Sequence, residues 1–120
     1  MRSRSPDPAS APAGPLPDVV FHILVALADN QRHGYSVMQE VSALTDGRVR
    51  LSPGTLYGAM QRMLEQGLIE EVRGAKGAAD ERRRFYRITP QGREAAVAET
   101  ERLRQLLAQA RIAGFAPKRT

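Results

Sequence analysis

Apolar residues recur at intervals of three and four along most of this chain, which is the spacing of one face of a helix. The first predicted helix runs from Pro17 to about Ala28 and repeats at Val20, Ile23, Leu24 and Leu27. After a polar break over residues 29–32, a second helix follows Gly34, repeats at Val37, Met38, Val41 and Leu44, and ends in the turn residues Asp46 and Gly47. The first half of the chain therefore predicts two amphipathic helices.

A third helix is predicted by its end signals as well as by its period. Ser52 suits the N-cap, and Pro53 suits the first helical position, where a missing N–H costs nothing. The inward positions are Leu56, Met60, Met63 and Leu64, and Gly67 ends the helix.

Two strands are predicted next, over residues 68–73 and 83–88, joined by the turn sequence GAKGAADE. Alternation places Tyr86 and Ile88 toward the core, with Arg84 on the same side. Residues 48–51 also alternate, which predicts one very short additional strand. The fold class is therefore mainly helical with a small β-hairpin.

The last helix begins with the cap-and-proline pair Thr89–Pro90 and continues to about Ile112. Its apolar and small residues form a seam spaced 4, 3, 4, 3, as in a coiled coil: Ala96, Thr100, Leu103, Leu107 and Ala110, broadened by Leu106. One small domain cannot cover this whole stripe, so Leu103, Leu106, Leu107 and Ala110 are predicted to form a homodimer interface. The alternative is that the stripe folds back on the chain's own first helix.

Composition narrows the function. The 120 residues suffice for one modest domain, and the net charge of +5 favours a polyanionic partner such as nucleic acid. The absence of cysteine excludes disulfides and thiolate metal sites. No apolar run is long enough to span a membrane, and residues 1–15 lack the apolar centre of a signal peptide, so a cytoplasmic protein without membrane contact is expected.

Catalytic and metal chemistry have no recognisable motif in the sequence. No Ser/His/Asp set, paired-carboxylate motif or glycine-rich phosphate loop occurs, so neither an enzyme nor a cofactor is expected. His22 and His33 are too few and too far apart to suggest a metal site, and structural roles are expected for both.

The outward face of the third helix is unusual for a surface helix, because small and polar residues replace the common Glu and Lys. Thr55, Gly58, Gln61, Arg62 and Glu65 point outward, with Ala59 at the margin. Such a face can enter a major groove about 12 Å wide, where Gln61 suits adenine and Arg62 suits guanine. Alternatively the helix is an ordinary surface helix in which Gly58 only eases packing. Arg62 has a second possible partner in Glu65, three residues on, but such an exposed pair is weak and would not keep Arg62 from DNA.

The hairpin is strongly basic. Between residues 73 and 87 it carries Arg73, Lys76, Arg82, Arg83, Arg84 and Arg87 against Asp80 and Glu81. A solvated charge cluster is the simpler explanation. However, a basic hairpin directly after a candidate recognition helix is the layout of a winged helix-turn-helix, whose wing contacts phosphates beside the groove.

Three ordered blocks carry a family resemblance: HGYSVMQEV (33–41), LSPGTLYGAMQRMLEQGLIEE (51–71) and RRRFYRITPQGRE (82–94). Together they resemble the PadR family of winged-helix transcriptional regulators over residues 17 to 112. The resemblance implies a dimer that binds operator DNA, in most members represses, and often releases DNA when a small molecule or stress signal arrives. With one helix after the hairpin, the chain is similar to the short subgroup; it departs from the family at Gly58, where proline often follows the tyrosine.

The same resemblance implies site residues. Tyr35, Ser52, Thr55 and Tyr57 are expected to contact phosphates or the groove edge, although Ser52 would also serve as a cap and Tyr57 would also pack between helices. Lys76, Arg82, Arg83 and Arg84 are the wing candidates. A candidate effector pocket between the first and last helices comprises Val20, Phe21, Leu24, Leu103 and Leu107, for which core packing is an equally good explanation.

Four regions are predicted: a disordered tail (1–15), a winged helix-turn-helix DNA-binding domain (16–89), a dimerisation helix (90–113) and a flexible tail (114–120). The expected function is a homodimeric, sequence-specific repressor that binds an inverted-repeat operator and is released by a small-molecule effector. A winged-helix module that binds an acidic protein in a transcription assembly is the main alternative. RNA binding is weaker, because Phe85 is the only plausible stacking aromatic of the hairpin.

Overall fold

The computed structural model describes residues 14–73 and 84–117. In this part of the chain four helices and three short strands form, close to the predicted bounds of the helices and of the two hairpin strands. They are α1 (Asp18–Ala26), β1 (Arg32–His33), α2 (Gly34–Leu44), α3 (Pro53–Glu65), β2 (Ile69–Arg73), β3 (Arg84–Ile88) and α4 (Pro90–Ile112). The predicted hairpin turn, most of the N-terminal tail and the last three residues lie outside the described ranges.

The sheet differs from the prediction in one strand. Its order is β1-β3-β2 with antiparallel pairing throughout, and Arg32 lies opposite Tyr86 while His33 lies opposite Phe85. Strand β1 falls at the end of the stretch interpreted as a polar break, because two residues are too short for any period to show.

The strand predicted over residues 48–51 is wrong. No strand forms there; the segment is a loop in which Val49 and Leu51 are half-buried while Arg48 and Arg50 are exposed. The Val49 amide donates to the Thr45 hydroxyl at 3.0 Å rather than to a neighbouring strand. Alternation here reflects a loop with one packed side.

The core lies where α1, α2 and α3 meet the sheet. Its largest fully buried side chains are Ile23, Leu24, Leu27, Val37, Val41, Leu56, Met60, Met63, Leu68 and Ile69. Ala59, predicted at the margin of α3, is only 1% exposed and belongs to this core. The buried face of α3 is therefore wider than its stripe of large apolar residues indicates.

Three side chains cap the helices. The Ser52 hydroxyl accepts from the Thr55 amide at 3.2 Å at the start of α3, and the Thr89 hydroxyl accepts from the Gly92 amide at 2.9 Å at the start of α4. His33 Nδ1 accepts from the Ser36 amide at 3.3 Å and so caps α2, which is the structural role expected for it. Each cap of the Ser or Thr type stabilises its helix by about 1 kcal/mol.

Helix α4 is fastened to the rest of the domain near its start and again at its middle. Gly92 lies against the Leu68 carbonyl, where a side chain would not fit. One helical turn beyond Ala95, the Glu99 carboxylate is 4% exposed and accepts from the Leu16 amide at 3.1 Å and from Arg102 at 2.6 and 3.0 Å. Hydrogen bonds from Arg102, and next from the Leu16 amide, hold the pKa of Glu99 below its usual range despite burial.

Helix α4 ends in a hydrogen-bonded turn at Gly114. Gly114 adopts a positive φ of 86°, and the Phe115 amide donates to the Ala110 carbonyl at 2.8 Å.

None of the helices in the described part of the chain has the length and apolar character needed to cross a membrane. Within the same residues, no group of three or more His, Asp or Glu side chains is placed to hold a metal ion.

Candidate nucleic-acid interface

Three consecutive residues join the helix pair α2–α3 to the sheet. The Arg32 backbone lies in β1, the His33 ring packs edge-on against Phe85 of β3 with centroids 5.5 Å apart, and Gly34 begins α2 beneath the ring of Tyr57 from α3. An ideal Cβ on Gly34 would lie 2.6 Å from Cζ of Tyr57, which is closer than atoms can approach. Glycine at this position therefore sets how closely α3 approaches α2.

Helix α3 presents the polar face that the sequence predicts. Thr55, Gln61 and Arg62 are exposed, whereas Leu56, Met60 and Met63 are buried on the opposite side. The predicted alternative pair between Arg62 and Glu65 does not form, and Glu65 accepts from Gln61 Nε2 at 3.3 Å. A Cβ on Gly58 would meet only the Arg62 guanidinium, at 3.9 Å. This side of the helix therefore carries no bulky side chain at residue 58 and has free space beside it.

The hydroxyl-bearing residues cluster at the start of the two helices. Tyr35 is 60% exposed in the first turn of α2, and Tyr57 is 47% exposed although one side of its ring packs on Gly34. Ser52 caps α3 and its hydroxyl also donates to the Thr55 hydroxyl at 3.1 Å. Ser52 and Tyr57 are therefore both exposed and engaged in local contacts, and the hydroxyl of Tyr57 is the atom of its side chain that lies nearest to the position of a Cβ on Gly34.

Two arginines of β3 face glutamates of β2. Arg87 donates to Glu70 directly across the strands at 2.6 Å, and Arg84 lies 3.6 Å from Glu71 with both side chains largely exposed. Exposed pairs of this kind contribute little stability, so a phosphate can replace the carboxylate. The other wing candidates, Lys76, Arg82 and Arg83, lie outside the described residues.

Sequence inspection missed two cations beside α3. Arg48 and Arg50 are exposed in the loop that leads into this helix, and neither forms an ion pair with another described residue. Arg50 donates to the Gly47 carbonyl at 3.2 Å, which is a neutral partner. Their proximity to the Ser52 cap was the signal available in the sequence, but the alternating pattern was interpreted as a strand.

The predicted dimerisation stripe is only partly covered in the single chain. Leu103, Leu106 and Leu107 are 41%, 47% and 42% exposed, and Ala110 is half-buried. The α4 residues that line the groove against α1 all lie in the first half of α4, so folding back on α1 does not cover the whole stripe within one copy.

An apolar groove of about 420 Å³ lies between α1 and the first half of α4. Its lining comprises Phe21, Leu24, Val25, Ala28, Ile88, Arg93, Ala96, Val97, Thr100 and Glu101. Phe21 and Leu24 were predicted to line such a pocket. Val20 instead packs in the core, and Leu103 and Leu107 lie beyond the groove because they are further along α4.

Three helices followed by a two-stranded hairpin, with the third helix exposed on one face, define a winged helix-turn-helix. The short strand β1 completes the sheet in front of α2, and a long helix follows the hairpin. Proteins of this class place the second helix of the helix-turn-helix in a DNA groove and the hairpin beside it. In this chain the corresponding elements are α3 and β2–β3.

Comparison with known proteins identifies the family. Residues 23–98 match the transcriptional regulator PadR-like family. The transcriptional regulator Rv3488 of Mycobacterium tuberculosis is 42% identical over 97 residues, which cover 80% of this chain and 84% of that protein. The chain belongs to the PadR-like family of transcriptional regulators, which confirms the resemblance and the regulatory function that it implied.

Solved structures agree with this assignment. A transcriptional regulator from Clostridium thermocellum superimposes with a TM-score of 0.68 at 28% identity, covering 82% of this chain and 90% of that one. Bacillus subtilis PadR, solved in complex with operator DNA, superimposes with a TM-score of 0.61 at 16% identity over 71% of this chain and 47% of that one. The second likeness is one of fold, and it confirms the winged-helix architecture.

Proposed function

We propose that this regulator is a homodimeric repressor that inserts α3 of each copy into the major groove of an inverted-repeat operator. One observation carries the proposal: α3 exposes small and polar side chains, and exposed arginines flank that face without carboxylate partners in the described chain. Those arginines are Arg48, Arg50 and Arg62. The arrangement leaves space for a duplex and supplies positive charge where its phosphates would lie.

The proposed contacts fall into two groups. Gln61 and Arg62 contact base edges, because both extend from the exposed face and each can form two hydrogen bonds to one base. The remaining contacts go to phosphates or sugars and position the protein on the duplex. They come from Tyr35, Ser52, Thr55 and Tyr57 on the helices, and from Lys76, Arg82, Arg83 and Arg84 on the wing, with Arg48 and Arg50 added from the loop before α3.

Dimerisation follows from the free energy that specific binding requires. A specific regulator needs about 4–10 kcal/mol of preference over random DNA, whereas one bidentate base contact supplies about 1–3 kcal/mol. Two such residues in one copy supply about 2–6 kcal/mol, which reaches only the lower part of that range, whereas the four in two copies supply about 4–12 kcal/mol, which spans it. We assign the interface to Leu103, Leu106, Leu107 and Ala110, which makes residues 90–113 a dimerisation helix attached to the DNA-binding domain of residues 16–89.

We place the effector in the groove between α1 and α4. Its walls are largely apolar, and Arg93 and Glu101 are the charged residues among its lining. A volume of about 420 Å³ is within the size range of small-molecule sites. Because α1 packs against both α2 and α3, a ligand that shifts α1 would also shift the helix pair that carries the DNA-binding surface.

The decisive experiment is a titration of duplex DNA from the region upstream of the protein's own gene, followed by fluorescence anisotropy at several salt concentrations. Binding should persist in the presence of excess random competitor DNA. The logarithm of the association constant should fall linearly with the logarithm of the salt concentration, with a slope of about −0.9 for each phosphate that the protein neutralises. Footprinting should show two symmetric half-sites. Binding that is equal on random DNA, or absent, would refute the proposal.

A protein-interaction module was the main alternative. The family match favours a transcriptional regulator instead. The same titration separates the two functions, because a module that grips an acidic protein would give no specific DNA complex.

A further inference from the structure

We infer that Arg32 is a positioning residue for DNA binding, which holds the helix pair α2–α3 and the wing in a fixed orientation relative to α1. This inference rests on the proposed function. The observation that supports it is that one residue of β1 contacts three other elements, which are α1, α2 and β3. Its backbone belongs to β1 and pairs with Tyr86 of β3, while its guanidinium reaches α1 on one side and α2 on the other.

All three guanidinium nitrogens of Arg32 are engaged. Nε donates to the Ala26 carbonyl at 2.8 Å, Nη1 donates to the Ser36 hydroxyl at 3.1 Å, and Nη2 lies 3.6 Å from the Glu40 carboxylate. The Ala26 carbonyl belongs to the last turn of α1, where a helix leaves carbonyls unsatisfied and favours positive charge. Arg32 therefore satisfies the end of α1 and ties it to two successive turns of α2.

This arrangement sets Arg32 apart from the other arginines near α3. Its side chain is only 23% exposed, and its donors are directed at protein acceptors. Arg48 and Arg50, in contrast, are exposed and form no ion pair in the described chain. Arg32 is thus placed to orient the binding surface rather than to contact a phosphate.

The planar geometry of the guanidinium explains why arginine is required. A lysine would keep the charge, but its single nitrogen cannot reach α1, Ser36 and Glu40 in one fixed arrangement. Neighbouring residues extend the same junction, since His33 caps α2 and packs on Phe85, and Gly34 receives Tyr57. Loosening Arg32 should therefore change the orientation of the helix pair α2–α3 and the wing relative to α1 while leaving the buried core intact.

The test compares Arg32→Gln and Arg32→Lys with the wild-type full-length chain, using the upstream duplex that the wild type binds. Both variants should bind about 2- to 30-fold more weakly, at a temperature where circular dichroism shows them folded. The slope of log K against log salt should stay at the wild-type value, because no phosphate contact is lost. A slope shallower by about 0.9, or recovery of affinity with lysine, would instead make Arg32 a phosphate contact and overturn the inference.

Two further variants keep the inference testable if Arg32→Gln does not fold. Ser36→Ala and Glu40→Gln each remove one anchor of the guanidinium on α2, and each should weaken binding with an unchanged salt slope. Unchanged affinity in both would overturn the positioning role. Arg104→Gln is the matched control, because it removes one exposed arginine and its ion pair with Glu101 on α4, and DNA affinity should not change.

Hydrogen exchange separates failure of this inference from failure of the proposed function. If the wild type binds no DNA, the proposed function fails, but hydrogen exchange still tests whether Arg32 fixes β1 and α2 in place. Arg32→Gln should then raise the exchange rates of backbone amides in β1 and in the first turn of α2 above those of the wild type and of Arg104→Gln. Equal rates would overturn the inference.

Discussion

The phenol ring of Tyr57 lies directly on the backbone of Gly34. A Cβ at residue 34 would lie 2.6 Å from Cζ and 2.9 Å from Cε1 of that ring, and it would overlap the hydroxyl oxygen as well. The two residues come from α3 and α2, so their contact sets the spacing of the helix pair. The same ring is 47% exposed at the proposed DNA surface, which links the packing of the helices directly to the binding site.

Replacing Gly34 by alanine should therefore damage stability and binding together. The added methyl group forces the Tyr57 ring away, and overpacking of this kind costs about 1–3 kcal/mol. Chemical denaturation should show this loss in the free energy of unfolding, and anisotropy should show weaker DNA binding. In Gly34→Ala/Tyr57→Leu, part of the lost stability should return, because the smaller side chain makes room.

Gly54→Ala is the matched control for that substitution. Gly54 lies in the first turn of α3, and a Cβ there meets no atom within 4 Å. Its free energy of unfolding should be unchanged or slightly higher than that of the wild type. If Gly34→Ala proved as stable as Gly54→Ala, the contact with Tyr57 would not constrain the helix pair.

Base preference should depend on Gln61 and Arg62. Alanine at either position removes hydrogen bonds to one base pair, so discrimination at that pair should fall by about 1–3 kcal/mol. Competition binding with operators that carry single base-pair changes measures this loss. The loss should appear at one position of each half-site, and loss of affinity for all sequences alike would contradict a role in base contact.

Arg48 and Arg50 should behave differently. As phosphate contacts they carry no sequence information, so alanine at either position should weaken binding to all duplexes equally. Each substitution should also make the salt slope shallower by about 0.9. Arg111→Ala is the control, since Arg111 donates to the Pro117 carbonyl near the end of α4 and the slope should not change. An unchanged slope in Arg48→Ala and Arg50→Ala would remove both from the interface.

Local signals account for the parts of this fold that the sequence predicts. The boundaries of α3 and α4 follow from Ser52–Pro53 and Thr89–Pro90, because cap and proline act on their own helix ends. Strand β1 could not be predicted in this way, since its partner β3 lies about fifty residues further along the chain. Alternating burial also cannot tell a loop with one packed side from a strand, which explains the error over residues 48–51.

The candidate site likewise has parts that local signals predict and parts that depend on contacts between distant residues. The exposed face of α3 follows from helical period alone, so Thr55, Gln61 and Arg62 could be placed before the fold was known. The groove between α1 and α4 depends on how two distant helices pack, and the sequence therefore supplied Phe21 and Leu24 but not Val25 or Val97. The junction at Arg32 required three elements to be placed in space.

A charge in the apolar stripe of α4 should separate the dimer. Leu106→Glu or Leu107→Glu would place a carboxylate against the partner's stripe, where burial without a partner is costly. Sedimentation should show a monomer, and affinity for an inverted repeat should fall to that of a single half-site. Gln105→Glu is the control, because at 100° per residue it lies on the opposite face of α4 and should leave the dimer intact. A dimer that persists in both leucine variants would exclude this interface.

Acid should weaken the attachment of α4 through Glu99. Hydrogen bonds from Arg102 and from the Leu16 amide lower the pKa of this carboxyl in the folded protein, so the folded state binds a proton less readily than the unfolded chain does. Its ionised form therefore contributes stability that is complete above the usual glutamate range and is lost as the pH falls through the lowered pKa. Chemical denaturation from about pH 7 to about pH 3 should show this loss in the wild type.

Glu99→Gln should remove that part of the pH dependence, because the amide stays neutral throughout the titration. It should also be less stable at neutral pH, since Arg102 loses its ionic partner. Glu101→Gln is the matched control: Arg104 also lowers the pKa of Glu101, but the pair is exposed and solvent screens it. Its acid dependence should therefore stay close to that of the wild type. If the free energy of unfolding depended on pH equally in the wild type and in Glu99→Gln, the contacts of Glu99 with Leu16 and Arg102 would not contribute to the acid sensitivity of the fold.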